Sequence, residues 1–297
     1  GATTGNNNTA VGKDSGQAIT TQGDNTYLGA YAGSSNSGSY NVGIGSSTLQ
    51  VTGTGSYNTA LGNNALYSLT SGVGNTSCGR SAGAGITTGG DNTAVGKEAL
   101  TTCNTASNNT AVGKGSMQLT STGANNVAVG KSALYTNTTA SNNVAIGYQA
   151  LLLNQTGADN TAVGHEALDA NTASNNSAFG AYALTSNTSG TRNTGLGRAT
   201  LETNTTGDDN VAVGHYALIA NSTANQNTAV GAYALYTNTG PNNLAVGYNA
   251  LHLAQTAEGN HAFGTWALYT TTTGEHNTAV GRSALYANST GSYNVSM

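Results

Sequence analysis

The side chains that could carry out chemistry are few and widely spaced along this chain. The sequence has five histidines, and no two of them have the spacing that zinc ligands need. Its two cysteines are too few for a disulfide framework and form no nucleophile motif with a histidine. Glutamates and aspartates are too sparse to supply paired carboxylates for acid–base catalysis. We therefore expect a protein that is not an enzyme and that has no cofactor and no metal.

A repeat of 16 or 17 residues accounts for nearly the whole sequence. A unit reads Asn-Thr-Ala-Val-Gly, two variable residues, Ala-Leu and a polar stretch, and its positions are numbered here from the leading asparagine, position 1. Complete repeats cover 8–293, with partial repeats at both ends, so we expect 1–297 to be a single repeat domain. Position 1 is Asn and position 5 is Gly in every complete unit, as in Asn92 and Gly96, Asn109 and Gly113, Asn126 and Gly130, and Asn143 and Gly147.

The length and composition of the unit predict its fold. It is too short for two helices, and Thr, Asn and Gly are poor helix formers. Two short strands and two turns fit, which is one coil of a parallel β-solenoid whose strands pair with their copies at about 4.8 Å. The glycine suits a corner with positive φ, and the asparagine can stack into an amide ladder. The sequence therefore predicts an all-β parallel solenoid (β-roll) of about seventeen coils.

Side-chain alternation assigns the strand residues to two faces. Positions 2 and 4 share one side, which we expect to fill the interior of the coil, with Cys78 buried at position 4. Position 3 points the other way and is never charged, so its alanines are expected to form an inter-chain face; examples are Ala94, Ala111, Ala128 and Ala145. Positions 8 and 9, mostly Ala and Leu, either serve one face each or both turn inward at a corner after position 8.

Threonine fills position 2 in ten units. A flat threonine array that faces water could order water and bind ice. Because alternation places this threonine on the same side as the position-4 valine, we expect it to be buried. Ice binding is therefore kept as an alternative only.

Two groups of side chains could contact a glycan, and the first of them could also contact an anion. Lysines occupy position 6 in three consecutive coils, Lys97, Lys114 and Lys131, which could grip an anionic glycan or simply protect an exposed strand.

Aromatic residues form the second group. Tyr216 and Tyr233 share position 7 in adjacent coils, Trp266 follows two coils later, and Tyr269 and Tyr286 share position 10. Such a ridge could stack on sugar rings or cover neighbouring apolar surface.

Charge and hydropathy exclude two classes of partner. Only 7% of the residues are charged and the net charge is −4, so the basic patch that nucleic acids require is missing. No run of about 18 apolar residues occurs, so we expect no membrane insertion within this segment. Low net charge and a single proline also argue against disorder.

The segments Asn142-Asn143-Val144-Ala145-Ile146-Gly147 and Asn125-Asn126-Val127-Ala128-Val129-Gly130 resemble the head repeats of trimeric autotransporter adhesins. The resemblance covers nearly the whole chain and implies a left-handed parallel β-roll, a homotrimer with three chains side by side, and surface adhesion. The units here are longer than usual for that family. Position 2, where that family has Val, is mostly Thr in this chain. The repeats are also similar to those of phage tail-fibre-like and environmental bacterial surface fibre proteins.

Together these features predict a non-enzymatic structural or adhesive component of an extracellular fibre or filament, on the cell surface or secreted. The expected partners are copies of the chain itself, as a homotrimer or end to end, and glycans of a host or surface. The alternatives are a phage tail fibre or spike shaft, and an ice- or glycan-binding solenoid.

Overall fold

A computed structural model describes residues 4–51 and 53–297. Throughout this part of the chain the structure is all-β, without a helix. Two compact units divide it, Gly1–Gln149 and Ala150–Met297. Each repeat contributes one short strand that begins at position 2, and each strand pairs in parallel with its copy in the next repeat. Both units are therefore parallel β-solenoids, with about 17 turns in the chain, as the repeat length predicted.

The strands of the first unit are β1 Thr9–Val11, β2 Thr26–Leu28, β3 Val42–Ile44, β4 Thr59–Leu61, β5 Thr76–Cys78, β6 Thr93–Val95, β7 Thr110–Val112, β8 Val127–Val129 and β9 Val144–Ile146. The strands of the second unit are β10 Thr161–Val163, β11 Ser177–Phe179, β12 Thr194–Leu196, β13 Val211–Val213, β14 Thr228–Val230, β15 Leu244–Val246, β16 His261–Phe263, β17 Thr278–Val280 and β18 Val295–Ser296.

Pairing within each unit joins equal positions of successive repeats. Ala94 lies opposite Ala111, which lies opposite Ala128 in the next pair. The Thr93 backbone N–H donates to the carbonyl oxygen of Asn109 in the following coil at 2.8 Å. Because every strand keeps this register, each repeat position becomes a column of similar side chains along the solenoid.

The two faces of the strand are the reverse of the sequence-based assignment. Position 3 points into its own coil, and the expectation of an inter-chain alanine face was wrong, since all four of its representatives have no exposed surface: Ala94, Ala111, Ala128 and Ala145. Position 4 points outward, and Val129 is 36% exposed. Space at position 3 depends on position 8, because a Cβ added at Gly195 would lie 2.6 Å from Thr200 Oγ1 at position 8.

Positions 8 and 9 both point inward, as in the corner alternative. Ala99 and Leu100 are fully buried. Glu98 and Leu100 have φ of 61° and 51°, and this left-handed backbone breaks the strict alternation of a strand. It disfavours a residue with a Cβ by roughly 1–2 kcal/mol. Burial of a leucine side chain contributes about 1.5–3 kcal/mol, which offsets that cost.

The position-1 asparagines form the predicted amide ladder. Oδ1 of Asn109 accepts from the backbone N–H of Asn126 at 2.9 Å and from its Nδ2 at 3.1 Å. Asn126 Nδ2 also donates to the carbonyl oxygen of Ala140 at 2.9 Å. One buried side chain thus joins adjacent coils and also closes its own coil, which satisfies polar groups that burial would otherwise leave unpaired.

A second ladder, at position 12, was not predicted. Nδ2 of Asn187 donates to Asn171 Oδ1 at 2.8 Å, and Nδ2 of Asn204 donates to Asn187 Oδ1 at 2.8 Å. Each of these two donors also reaches a carbonyl three residues ahead, as Asn204 does to Gly207 at 3.0 Å. This ladder lies beside the first one, since Asn176 Nδ2 donates to Asn171 Oδ1 at 3.3 Å, and it adds hydrogen bonds along the axis.

Tyr27 is the one large side chain at position 3, and local glycines make room for it. Its own coil and the preceding one have glycine rather than leucine at position 9, Gly33 and Gly16. A Cβ added at Gly33 would lie 2.5 Å from the Tyr27 ring. The ring fills the volume that leucine occupies elsewhere, and burial raises the pKa of its hydroxyl.

The expectation of a buried Cys78 was wrong. Cys78 at position 4 is exposed, whereas Cys103 at position 12 is buried. Burial raises the pKa of the Cys103 thiol to about 12. The buried thiol is therefore protonated at neutral pH.

Candidate functional site: the outward faces of the coils

The side chains at positions 2 and 4 form the outer strand face. In the first unit it contains threonine, valine, leucine, isoleucine and one cysteine, with no charged residue: Thr9, Val11, Thr26, Leu28, Val42, Ile44, Thr59, Leu61, Thr76, Cys78, Thr93, Val95, Thr110, Val112, Val127, Val129, Val144 and Ile146. Its apolar members are substantially exposed, for example Leu28 at 47% and Ile146 at 39%. This unit therefore presents a regular, uncharged and largely β-branched surface.

The outer strand face of the second unit is less regular. Phe179 and Phe263 replace valine at position 4 and are 40% and 38% exposed. His261 and Leu244 replace threonine at position 2. The face stays uncharged apart from the histidine, but its side chains no longer have uniform height.

This orientation corrects the expectation that the position-2 threonines are buried. Thr26 and Thr76 are exposed, and Thr93 and Thr110 are half-buried. Strand geometry spaces their column by about 4.8 Å along the axis and by about 6.7 Å from the position-4 column. A flat lattice of hydroxyl and methyl groups can pack against an equally flat surface or order the water above it.

The predicted lysine ridge is present at position 6, with all three side chains exposed: Lys97, Lys114 and Lys131. Two of them already have partners. Lys97 Nζ lies 3.5 Å from a Glu98 carboxylate oxygen, and Lys131 Nζ lies 5.4 Å from the centre of the Tyr148 ring. An anion would have to compete with these contacts, and no buried polar group supports a site there.

An aromatic patch covers part of the second unit: His215, Tyr216, Tyr233, Tyr236, Tyr248, His252, Trp266, Tyr269 and Tyr286. Tyr216 and Tyr233 have ring centres 5.6 Å apart. Tyr248 links Tyr233 to Trp266, with ring centres 6.1 and 6.4 Å away. The predicted residues thus belong to one surface, together with Tyr248, which was not predicted because it occupies position 6.

Within this patch, position 10 forms a stacked column over four consecutive coils. Tyr236, His252, Tyr269 and Tyr286 follow one another with ring centres 4.9, 5.2 and 5.1 Å apart and planes within 6°. Their faces cover one another, so a sugar cannot stack between them. Tyr236 and His252 could have been found from the sequence, since they share position 10 with Tyr269 and Tyr286.

Two groups of the second unit titrate unusually. Burial lowers the pKa of His252, whose Nδ1 lies 3.3 Å from the carbonyl oxygen of Tyr233. Burial, with a smaller contribution from Glu166, raises the pKa of Asp169 to about 6. Oδ1 of Asp169 is buried without a hydrogen-bond partner, which explains the direction of its shift.

Across residues 4–51 and 53–297, no three His, Cys, Asp or Glu side chains are grouped so that they could hold a metal ion. The same residues include no helix suited to crossing a lipid bilayer. No family model, curated protein or solved structure matches the chain. The outer strand face, the lysine ridge and the aromatic patch are the candidate functional surfaces.

Proposed function

We propose that this chain is a non-enzymatic structural or adhesive component of an extracellular fibre, whose solenoids associate side by side through the outer strand face. The observation that carries the proposal is the uncharged, exposed column of Val, Leu and Ile at position 4. Exposed apolar surface of this extent and regularity usually marks a contact between proteins. The resemblance to adhesin heads adds a left-handed homotrimer as the form of the assembly.

Periodicity makes the face complementary to itself. Each coil advances about 4.8 Å, so the ridges of one solenoid can pack between the ridges of another over many coils. Three residues of strand by nine coils present a planar area of roughly 430 Å² per unit. A stable interface buries about 800 Å² per partner, so the face of one unit alone is smaller than such an interface.

Sedimentation equilibrium of the whole chain tests this proposal. The wild-type chain is expected to sediment as an oligomer, three chains in the adhesin-like form. Lysines at three consecutive position-4 sites, Val95→Lys, Val112→Lys and Val129→Lys, place like charges in the interface and are expected to give monomers. Because these side chains lie outside the coil, far-ultraviolet circular dichroism is expected to remain unchanged.

A control variant adds the same charge elsewhere in the same coils or their neighbours. Thr88, Thr105 and Thr122 share position 14 and are exposed, so their replacement by lysine is expected to leave the oligomer intact. A wild-type chain that is monomeric at high concentration, or a control that dissociates as readily as the valine variant, would refute association through the outer strand face.

Ice binding is the second candidate, and the outward position-2 threonines support it. Thermal hysteresis of the species present in solution distinguishes the two functions, because a face buried between chains cannot contact ice. A monomer that depresses freezing and loses this activity in Thr110→Tyr would favour ice binding over a fibre shaft. An oligomer without thermal hysteresis would favour the fibre.

The proposal also covers what the fibre is attached to and which ligand it contacts. A phage tail fibre or spike shaft uses the same lateral assembly and differs in what the shaft joins. Glycan contact at the lysine ridge or the aromatic patch is an adhesive variant of the same function.

A further inference from the structure

A shallow depression lies on the first unit, away from the outer strand face. It has a volume of about 280 Å³ and spans three coils, with Asn64, Tyr67 and Ser68 in the first, Ser81, Ala84 and Gly85 in the second and Thr101 in the third. Its volume is close to the lower limit for small-molecule pockets, roughly 300 Å³. A single sugar or another small ring is therefore the size of ligand that it can hold.

The depression occupies the place of a missing ring in an aromatic column. Tyr67, Ala84 and Thr101 share position 10 in consecutive coils. In the second unit, Tyr269 and Tyr286 at this position stack with centres 5.1 Å apart. Alanine in the middle coil leaves the corresponding space beside Tyr67 open, and Tyr67 is 38% exposed.

The lining is uncharged and mostly apolar, with four polar side chains recessed in it. Asn64, Ser68, Ser81 and Thr101 are half-buried. Thr101 Oγ1 donates to the carbonyl oxygen of Glu98 at 2.7 Å, so its lone pairs remain available to accept a hydrogen bond. One aromatic ring surrounded by hydroxyl and amide groups matches a neutral polyhydroxylated ring, which offers C–H groups on its face and hydroxyls at its edge.

The middle coil is built to keep this space open. Gly85 cannot have a Cβ without colliding with the backbone carbonyl of Thr101 in the next coil. Ser68 donates its backbone N–H to the carbonyl oxygen of Ala84 at 3.0 Å, which fixes the floor. The site is therefore largely formed before a ligand binds, which reduces the entropy lost on binding.

We propose that this depression, the Tyr67 groove, binds one neutral pyranose residue of a glycan, stacked on Tyr67 in the place of the missing ring. The charge and size of the lining favour an uncharged hexose over an acidic sugar. This site is distinct from the lysine ridge and from the aromatic patch.

Saturation-transfer NMR with the methyl glycosides of glucose, galactose and mannose tests the proposal. Transfer to the ring C–H protons of at least one glycoside is expected with the wild-type chain. Tyr67→Ala is expected to weaken that binding about tenfold, which is about 1.4 kcal/mol. Tyr57→Ala is the matched control, since Tyr57 stacks on Tyr40 in the same unit and does not line the groove; it is expected to bind like the wild type.

Ala84→Tyr is a second variant, and it separates a loss of binding from a loss of folding. It restores the ring that position 10 has in other coils, so the variant is expected to fold with an equal or higher Tm and to lose saturation transfer. Absence of transfer from all three glycosides, retention of binding in Ala84→Tyr, or tighter binding of p-cresol than of any glycoside would overturn the proposal.

Discussion

Substitutions at two neighbouring residues of β8, one inside the coil and one outside it, test which side of the strand forms the interior. Ala128 has no exposed surface and lies in register with Ala111 and Ala145, whereas its neighbour Val129 is 36% exposed. Ala128→Ile adds three carbons to a column whose members repeat every ~4.8 Å. Overpacking of this kind typically destabilises by about 1–3 kcal/mol. Val129→Thr changes an outward side chain of similar volume and is expected to shift stability by no more than about 0.5 kcal/mol.

The assay is urea unfolding followed by circular dichroism, with hydrogen exchange of the β8 segment as a local readout, because long repeat arrays need not unfold in one step. We expect Ala128→Ile to lower the unfolding midpoint and to speed exchange in β8 and the adjoining coils. Val129→Thr is expected to leave both unchanged in monomers. A tolerated isoleucine at Ala128 together with strong destabilisation by Val129→Thr would refute the assignment of the interior.

Three further predictions follow from single residues. Gly96 and Gly281 have φ of 125° and 122°, but a Cβ at Gly96 would lie 2.7 Å from the next coil and a Cβ at Gly281 would meet nothing within 4 Å. Gly96→Ala is therefore expected to lower the Tm more than Gly281→Ala. Equal decreases in Tm would show that the positive φ, and not contact with the next coil, causes the loss of stability. In native monomers, Cys78 is expected to react rapidly with a thiol reagent at neutral pH, while Cys103 reacts only on unfolding; fast labelling of both by mass spectrometry would contradict its burial. The folded-state pKa of Asp169, about 6, exceeds the unfolded value of about 3.9, so ionisation opposes folding. Asp169→Asn is expected to stabilise the protein at pH 7, with a gain that falls below pH 6 and vanishes near pH 4; a gain that is independent of pH would point to another cause.

The repeat made the fold predictable because its period limits what one unit can form. Seventeen residues with Asn and Gly at fixed positions fit one coil, and the ladder of Asn109 and Asn126 follows from stacking equal positions. Alternation within the strand was also correct, since Ala128 and Val129 do point to opposite sides. What alternation cannot decide is which side is the interior.

That choice depends on the size of the enclosed space, which comes from the corner. Leucine at position 9 enters the interior through a left-handed backbone, as at Leu100 with φ of 51°. Propensity disfavours such a conformation for leucine, so the sequence gives no direct signal for it. In coils with that leucine inside, position 3 is alanine or glycine, and the larger valine at position 4 faces outward.

The surfaces were predicted less completely than the fold. Columns of like residues, such as the position-6 lysines, could be found by aligning repeats. The Tyr67 groove could not, because it results from a small residue, Ala84, between larger neighbours in adjacent coils. Its lining joins residues that are 37 positions apart, from Asn64 to Thr101.

Cryo-electron microscopy of the assembled protein tests the central claim most directly, because it locates each strand residue relative to the coil and to neighbouring chains. We expect Ala94, Ala111, Ala128 and Ala145 inside each coil, with the position-4 valines and isoleucines packed between side-by-side chains. A map in which the position-4 side chains face open solvent in the assembled fibre, or in which the alanines lie between chains, would contradict it.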